Sequence, residues 1–269
     1  MDKLPIYIPT HKRANVIYKR GTLKGFPDEI LKRTTLVIYE EELDDYEQHV
    51  PYDLVDYEFC TDYGYLHKYK RIGEIAQERG EKYFVILDDD LTFYKRKGRD
   101  VTNLINMEPE DYGTMFHAVS TKLKGGYAQV GISAREGNNH IPAWYSDNTR
   151  IMRAAAFNTK EFMALEHRLP FMCDFDAALQ LLRKGKKNCS IYLYAQNQFQ
   201  TQAKGGCSEQ RNNDNHAEAA RALQSHHPEF VKLVQKENKT GGEFGQRLEV
   251  RVAWKKAYES ATKRKAGFF

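Results

Sequence analysis

The chain has 269 residues, 41% apolar and 12% aromatic with 17 Tyr and 14 Phe, which is enough to fill one α/β core and excludes a disordered chain. The formal charge is only +4, but basic residues clump at Lys95-Arg96-Lys97 with Arg99, Arg183-Lys184 with Lys186-Lys187, and Lys263-Arg264-Lys265, where they can hold a polyanion or simply face solvent. No apolar run of membrane-spanning length and no apolar leader at MDKLPIYIPTHKR predict a soluble cytoplasmic protein, while Cys60, Cys173, Cys189 and Cys207, without a C-x-x-C pair, argue against a zinc ribbon or disulfide framework.

Ile6-Tyr7-Ile8 is a short β-prone run stopped by Pro9, and Thr34 to Tyr39 is a second that ends in three glutamates. Between them, residues 14–31 predict a helix and then a loop, punctuated by Gly21, Gly25 and Pro27. In residues 65–79 the apolar positions Leu66, Tyr69, Ile72, Ile75 and Ala76 recur at three and four, one face of a helix that Gly80 closes. Tyr83 to Leu87 is the next strand. This alternation predicts a mainly parallel, Rossmann-like sheet with crossover helices. Further on, residues 129–133, 149–157 and 190–194 read as strands, 175–184 as a helix, 196–215 as a long polar loop, 217–236 as helical, and 243–252 as ending in a strand.

Asp88-Asp89-Asp90 falls where the strand YFVIL ends, the position at which open parallel sheets bind ligands. Three adjacent carboxylates repel one another unless a cation or hydrogen-bond donors offset them. Mg2+ or Mn2+ shared with a substrate diphosphate does so directly, and a turn whose Asp side chains accept backbone N–H groups is the structural alternative. Two chemistries use such a pattern. In nucleotide-sugar transferases D-x-D holds the metal, whereas in phosphatases of the haloacid-dehalogenase type the first Asp of D-x-D-x-T is the nucleophile, and Asp88 to Thr92 satisfies both patterns.

A second acidic segment, Cys173-Asp174-Phe175-Asp176, opens the 175–184 helix, followed by Leu179, Leu182, Arg183 and Gly185. Here the sequence resembles the GT-A glycosyltransferases, whose E-D-x-D-L-x-L-R segment carries the catalytic base at a helix start; Cys173 replaces the usual Glu, and Gln180 stands where Arg is common. The resemblance implies a GT-A-like α/β domain over residues 1–216, with residues 217–269 a helical, basic extension on the same core. It implies catalytic roles for Asp174 and Asp176, with Asp174 as base, and metal ligation by Asp88, Asp90 and a late His, for which His216 is preferred over His226 and His227. Donor contacts would come from Pro9, Thr10, His11 and Arg13 in the turn after the first strand, from Arg71, and from Asp88 and Asp89. A phosphatase would normally carry its motif on the first strand, which counts against that reading here.

The layout of PTHKR, LDDDL and CDFDAALQLLRKG is similar to the base J type and phage DNA glucosyltransferases, over roughly residues 4–216. That likeness implies transfer of a hexose, glucose in that group, from a UDP-sugar to the hydroxymethyl group of a modified pyrimidine in DNA, in the host cytoplasm if the protein is phage-encoded. Lys95, Arg96, Trp144 and Tyr145 are candidates to hold the acceptor, since basic and aromatic groups together suit a phosphate backbone and a displaced base. A glycan, protein or small-molecule hydroxyl is the rival acceptor. A non-catalytic nucleic-acid-binding module is a third reading, disfavoured because it needs no two separate carboxylate sites.

Overall fold

The computed structural model describes residues 3–98, 100–135, 143–198, 213–237 and 246–266. The N-terminal half runs β1 (Ile6–Pro9), α1 (Ala14–Ile17), α2 (Asp28–Leu31), β2 (Thr34–Ile38), α3 (Leu43–His49), β3 (Asp56–Phe59), α4 (Tyr65–Glu78) and β4 (Tyr83–Leu87). A hairpin of β5 (Leu91–Lys97) and β6 (Asp100–Asn106) follows, then α5 (Pro109–Lys124), β7 (Gln129–Ala134), β8 (Tyr145–Asp147), β9 (Ala154–Asn158) and α6 (Thr159–Met163). The chain continues through α7 (Cys173–Arg183), β10 (Asn188–Gln198), α8 (Asn213–His226), β11 (Val231–Glu237), β12 (Gln246–Val252) and α9 (Trp254–Ala266). No described helix is long and apolar enough to cross a membrane.

One sheet has the order β3-β2-β1-β4-β9-β7-β10-β5-β6, with β8 also on β10. It is mostly parallel in direction: β1, β2, β3, β4, β6, β7 and β10 run one way, and β5, β8 and β9 run against them. Side chains alternate across each strand, so one strand feeds two cores. Ile6, Ile8, Leu36, Val85 and Leu87 face α1, α2, α3 and α5, while Tyr7, Val37, Phe84 and Ile86 face α4, α6 and α7. Each such aliphatic or aromatic side chain contributes about 1.5–3 kcal/mol on burial.

The 14–31 stretch is not one helix but two single turns with a 3-10 turn at Thr22–Gly25, because Gly21, Gly25 and Pro27 interrupt it. The expected 217–236 helix stops at His226 before Pro228, and the chain turns into β11. The C-terminal part is therefore a helix, a two-stranded hairpin and a helix rather than helical throughout. It packs on the outward face of α7, where Phe175, Leu179 and Leu182 meet Ala219, Ala220, Leu223 and Ala257. Of the 196–215 loop, residues 199–212 lie outside the described set, as do Arg99, Gly205, Gly206, Cys207 and Arg211.

Candidate active site

The acidic triplet turns directly from β4 into β5, and its backbone is strapped down by Thr22, whose N–H donates to the Asp89 carbonyl at 3.1 Å while its Oγ1 accepts from Leu91 N at 2.9 Å. Gly21 permits that approach, since a Cβ there would overlap the Asp89 carbonyl. The three carboxylates have different surroundings. Arg13, itself buried, donates through Nη1 to Asp89 Oδ1 at 2.7 Å and Asp90 Oδ2 at 2.8 Å. Thr10 Oγ1 adds a bond to Asp89 Oδ2 at 2.7 Å, and Gln198 Nε2 one to Asp90 Oδ2 at 2.8 Å. Burial lifts the Asp89 carboxyl to about 6, with the Arg13 guanidinium acting against it.

Among the described residues Asp88 has no such counter-cation in hydrogen-bond contact. Its N–H donates to the Arg153 carbonyl at 2.8 Å, which extends the β4–β9 ladder by one residue and keeps the side-chain alternation. Asp88 therefore falls on the α4 and α7 face, as Phe84 and Ile86 do, and Tyr65 OH reaches its Oδ1 at 3.4 Å. Burial pushes its carboxyl up to about 8, the charges of Asp90 and Asp89 push the same way, Arg153 opposes, and Asp174 adds to the rise. Asp174, in the first turn of α7, is thus within electrostatic reach of Asp88, and buried Tyr69 feels Cys173, Asp174 and Asp88 together. Three non-glycine residues with left-handed backbone, Lys12 (φ 54), Arg153 (φ 62) and Met172 (φ 59), stand beside Arg13, Asp88 and the start of α7. Such backbone costs on the order of 1–3 kcal/mol each and clusters where side chains must be aimed.

Asp176 is placed differently from Asp174. Its Oδ1 accepts from Arg168 Nη2 at 3.0 Å and His227 Nε2 at 2.7 Å, and its Oδ2 from Arg168 Nε at 3.1 Å and Gln180 Nε2 at 2.9 Å. Those four bonds fill a carboxylate's acceptor sites, so Asp176 serves to tie α7 to Arg168, Gln180 and His227. Burial opposes its charge, but His227 and Arg168 hold its carboxyl below the usual range. Arg183 Nη1 lies 2.9 Å from His227 Nδ1, and since a guanidinium only donates, the imidazole carries its proton on Nε2. The 0%-exposed His227 thus ties the C-terminal part to α7.

The turn after β1 brings Thr10 and Arg13 to the aspartates, with Pro9 closing the strand. His11 Nδ1 sits 3.0 Å from Glu42 Oε1 and its ring packs edge-on against Tyr39 at 5.1 Å. Tyr39 lies 4.3 Å from the ring of Tyr63, which is 64% exposed, and over Lys68 Nζ at 3.7 Å. Lys68, buried, also donates to the Thr10 carbonyl, so α4 meets this turn through Lys68 and not through Arg71. Arg71 points instead into a glutamate cluster, 2.8 Å from Glu78, 3.7 Å from Glu74 and 3.8 Å from Glu58, which satisfies its charge away from the turn. Tyr39, Tyr63 and Lys68 were not singled out from sequence. Lys68 carried a signal, because it falls on the apolar stripe of α4, four residues before Ile72.

The remaining candidates lie elsewhere. Lys95 pairs with Asp111 at 2.7 Å, and buried Arg96 donates to the Tyr192 carbonyl at 2.9 Å, so both serve the hairpin's packing. Arg183, Lys184 and Lys186 likewise spend their charge on His227, the Ala164 carbonyl and Glu161. Trp144 and Tyr145 form a T-shaped pair at 4.6 Å, with Lys122 Nζ over the Tyr145 ring at 2.9 Å. His216 is 3.7 Å from Glu249 on β12, and among the described residues no three His, Cys, Asp or Glu form a metal group, so the structure does not join His216 to Asp88 and Asp90. Asp90 Oδ1 is nevertheless buried without a hydrogen-bond partner. That oxygen and the unbalanced Asp88 carboxylate are hard donors, and they fit an Mg2+- or Mn2+-sized cation that takes its other ligands from water and a diphosphate.

The sequence pattern of the TET-associated glycosyltransferases matches residues 4–206. The chain belongs to this family. It is a glycosyltransferase, and the phosphatase and pure binding-module readings fall with that match. No curated protein matches the sequence. Similar solved structures include a cytidylyltransferase from Leptospira borgpetersenii, 14% identical over 65% of this chain and 68% of that one with a TM-score of 0.38. The mannose-1-phosphate geranyltransferase from Thermus thermophilus is 9% identical over 98% and 100% with a TM-score of 0.41. At these scores neither likeness says anything about chemistry.

Proposed function

We propose that this glycosyltransferase moves a hexose from a UDP-sugar to the hydroxymethyl group of a modified pyrimidine in DNA, in the manner of the GT-A enzymes that its motifs resemble. The family's association with TET, by its printed name, supports a modified DNA base as acceptor. The observation that carries the reading is the convergence of Asp88 from the end of β4 and Asp174 from the start of α7. In this reading Asp88 would serve the donor and Asp174 the acceptor, both on the α4 and α7 side of the sheet.

Asp174 takes the proton from the acceptor hydroxyl as its oxygen attacks the anomeric carbon and the bond to the diphosphate breaks, the electron pair leaving with UDP. Asp88 and Asp90 would hold a divalent cation, which supplies positive charge for the departing diphosphate. Arg13 and Thr10 keep Asp89 and Asp90 in place. Exposed Tyr63, backed by the buried Tyr39 ring, offers the nucleobase a stacking surface, and Lys68 fixes the turn beneath it. The deciding experiment is release of UDP from a panel of UDP-sugars with Mn2+, with and without DNA containing 5-hydroxymethylated pyrimidines. DNA-stimulated release confined to one sugar is the expected result. Release indifferent to DNA but stimulated by a glycan or peptide keeps the transferase and removes the DNA acceptor.

A further inference from the structure

The C-terminal part lies almost wholly outside the matched family region, and it carries the molecule's charge. Residues 1–212 hold 30 Lys or Arg and 30 Asp or Glu, while residues 213–269 hold 11 and 7, so the entire formal +4 resides there. The basic clumps of the catalytic part are largely consumed by internal pairs, as Lys95, Lys184 and Lys186 are. At the start of α9 the situation differs. Lys255 is exposed and has no partner among the described residues, and exposed Lys256 makes a long 3.4 Å contact with the Glu229 carbonyl and stands 6.0 Å from the Phe230 ring.

These two lysines form one wall of a cleft of about 370 Å³ between the C-terminal part and the catalytic sheet. Ser146, Asn148 and Thr149, at and just after β8, form the other wall, and Trp254 lies between. The Ser146 and Thr149 hydroxyls both donate and accept, so this wall suits a polar ligand. Trp254 packs on Phe175 at 5.6 Å, and Phe175 follows Asp174. Arg150 covers the same Phe175 ring at 4.1 Å. The cleft is therefore joined to the first turn of α7 through Trp254 and Phe175, one residue from the proposed base, which does not itself line it.

We propose that this cleft is the track of the acceptor DNA backbone, with Lys255 and Lys256 against successive phosphates and the Ser146–Thr149 wall holding the sugar-phosphate edge. The proposal rests on the DNA-acceptor reading and adds the part of the chain that delivers the strand to Asp174. Lysine-phosphate contacts release counterions on binding, each worth nearly one unit in the salt dependence of the affinity for duplex DNA.

The test is binding of a 20-base-pair duplex containing 5-hydroxymethylcytosine to the full chain, by fluorescence anisotropy over a series of salt concentrations. The double variant Lys255→Glu/Lys256→Glu is expected to weaken binding at least tenfold and to reduce the salt slope by about two. Ser146→Glu, on the opposite wall, is expected to weaken binding as well, and serves if the double variant does not fold. Lys32→Glu/Lys82→Glu makes the same charge change at the far end of β2 and β4, and is expected to have less than a threefold effect. Equal losses in the two double variants would mean diffuse attraction and would overturn the cleft. Wild-type transfer to hydroxymethylated DNA with unchanged duplex affinity in the cleft variants would overturn the cleft alone. A wild-type chain that neither binds the duplex nor transfers to it, while glycosylating another hydroxyl, would remove the DNA reading and the cleft together.

Discussion

The two acidic segments, Asp88-Asp89-Asp90 after β4 and Asp174-Phe175-Asp176 at the start of α7, look alike in sequence, and each is divided within itself in the same way. Asp89, Asp90 and Asp176 are buried and tied to an arginine, Arg13 or Arg168. Asp88 and Asp174 stand within electrostatic reach of each other. A carboxylate with its own guanidinium is a fixture, because removing either partner leaves a buried charge uncompensated. Asp88, which accepts no arginine hydrogen bond among the described residues, can still take a proton or a cation. Asp90 stands in both groups, since its Oδ2 is tied to Arg13 while its Oδ1 has no hydrogen-bond partner.

The largest test of that division is Asp174→Asn, which is expected to cut transfer by about 10²–10⁴-fold, the usual contribution of a general base, with UDP affinity nearly unchanged in the presence of Mn2+. Equal loss of binding and transfer would make Asp174 a structural residue or a ligand. Next comes Arg13→Met, which strands Asp89 and Asp90 and is expected to lower stability by about 3–5 kcal/mol, read as the midpoint of urea unfolding.

Proton linkage sharpens the contrast between two single residues, because Asp88 and Asp176 titrate with opposite signs. Asp88, raised to about 8, holds its proton more tightly when folded, so without divalent ions it subtracts stability as the pH climbs from about 4 to 8. Asp176, held low, contributes fully above about pH 4 and loses that contribution as the pH falls further. Urea unfolding between pH 3 and 9 should show Asp88→Asn flattening the alkaline decline and Asp176→Asn flattening the acid limb. The opposite pattern would reverse the assignment. The smallest effect belongs to Arg71→Ala, whose glutamate cluster lies on the surface, with stability changing by less than about 0.5 kcal/mol and donor affinity within twofold.

Much of the fold was legible where side-chain periodicity is strong. The strands at Ile6, Thr34 and Tyr83 and the helices α4 and α7 stand where the spacing puts them, within a residue or two. The hairpin β5–β6 and helix α5 escaped, since Lys95-Arg96-Lys97 reads as a surface clump and the acidic run Glu108-Pro109-Glu110-Asp111 carries no apolar periodicity. In the structure Arg96 is buried on a strand carbonyl, and the acidic run is a helix start with Pro at its first position.

At the site, the sequence alone determined which segments carry carboxylates and that strand ends and a helix start present them, because these follow from local periodicity and residue type. The partner of each carboxylate was decided only by tertiary structure. Arg13 reaches the triplet from 76 and 77 residues away, and His227 reaches Asp176 from 51, separations at which no local pattern records a contact. The same holds for the basic clumps, where charge shows in the letters but its availability depends on which acid or carbonyl the fold sets beside each one. That is why Lys95 and Lys186 are spent within the fold and Lys255 is not.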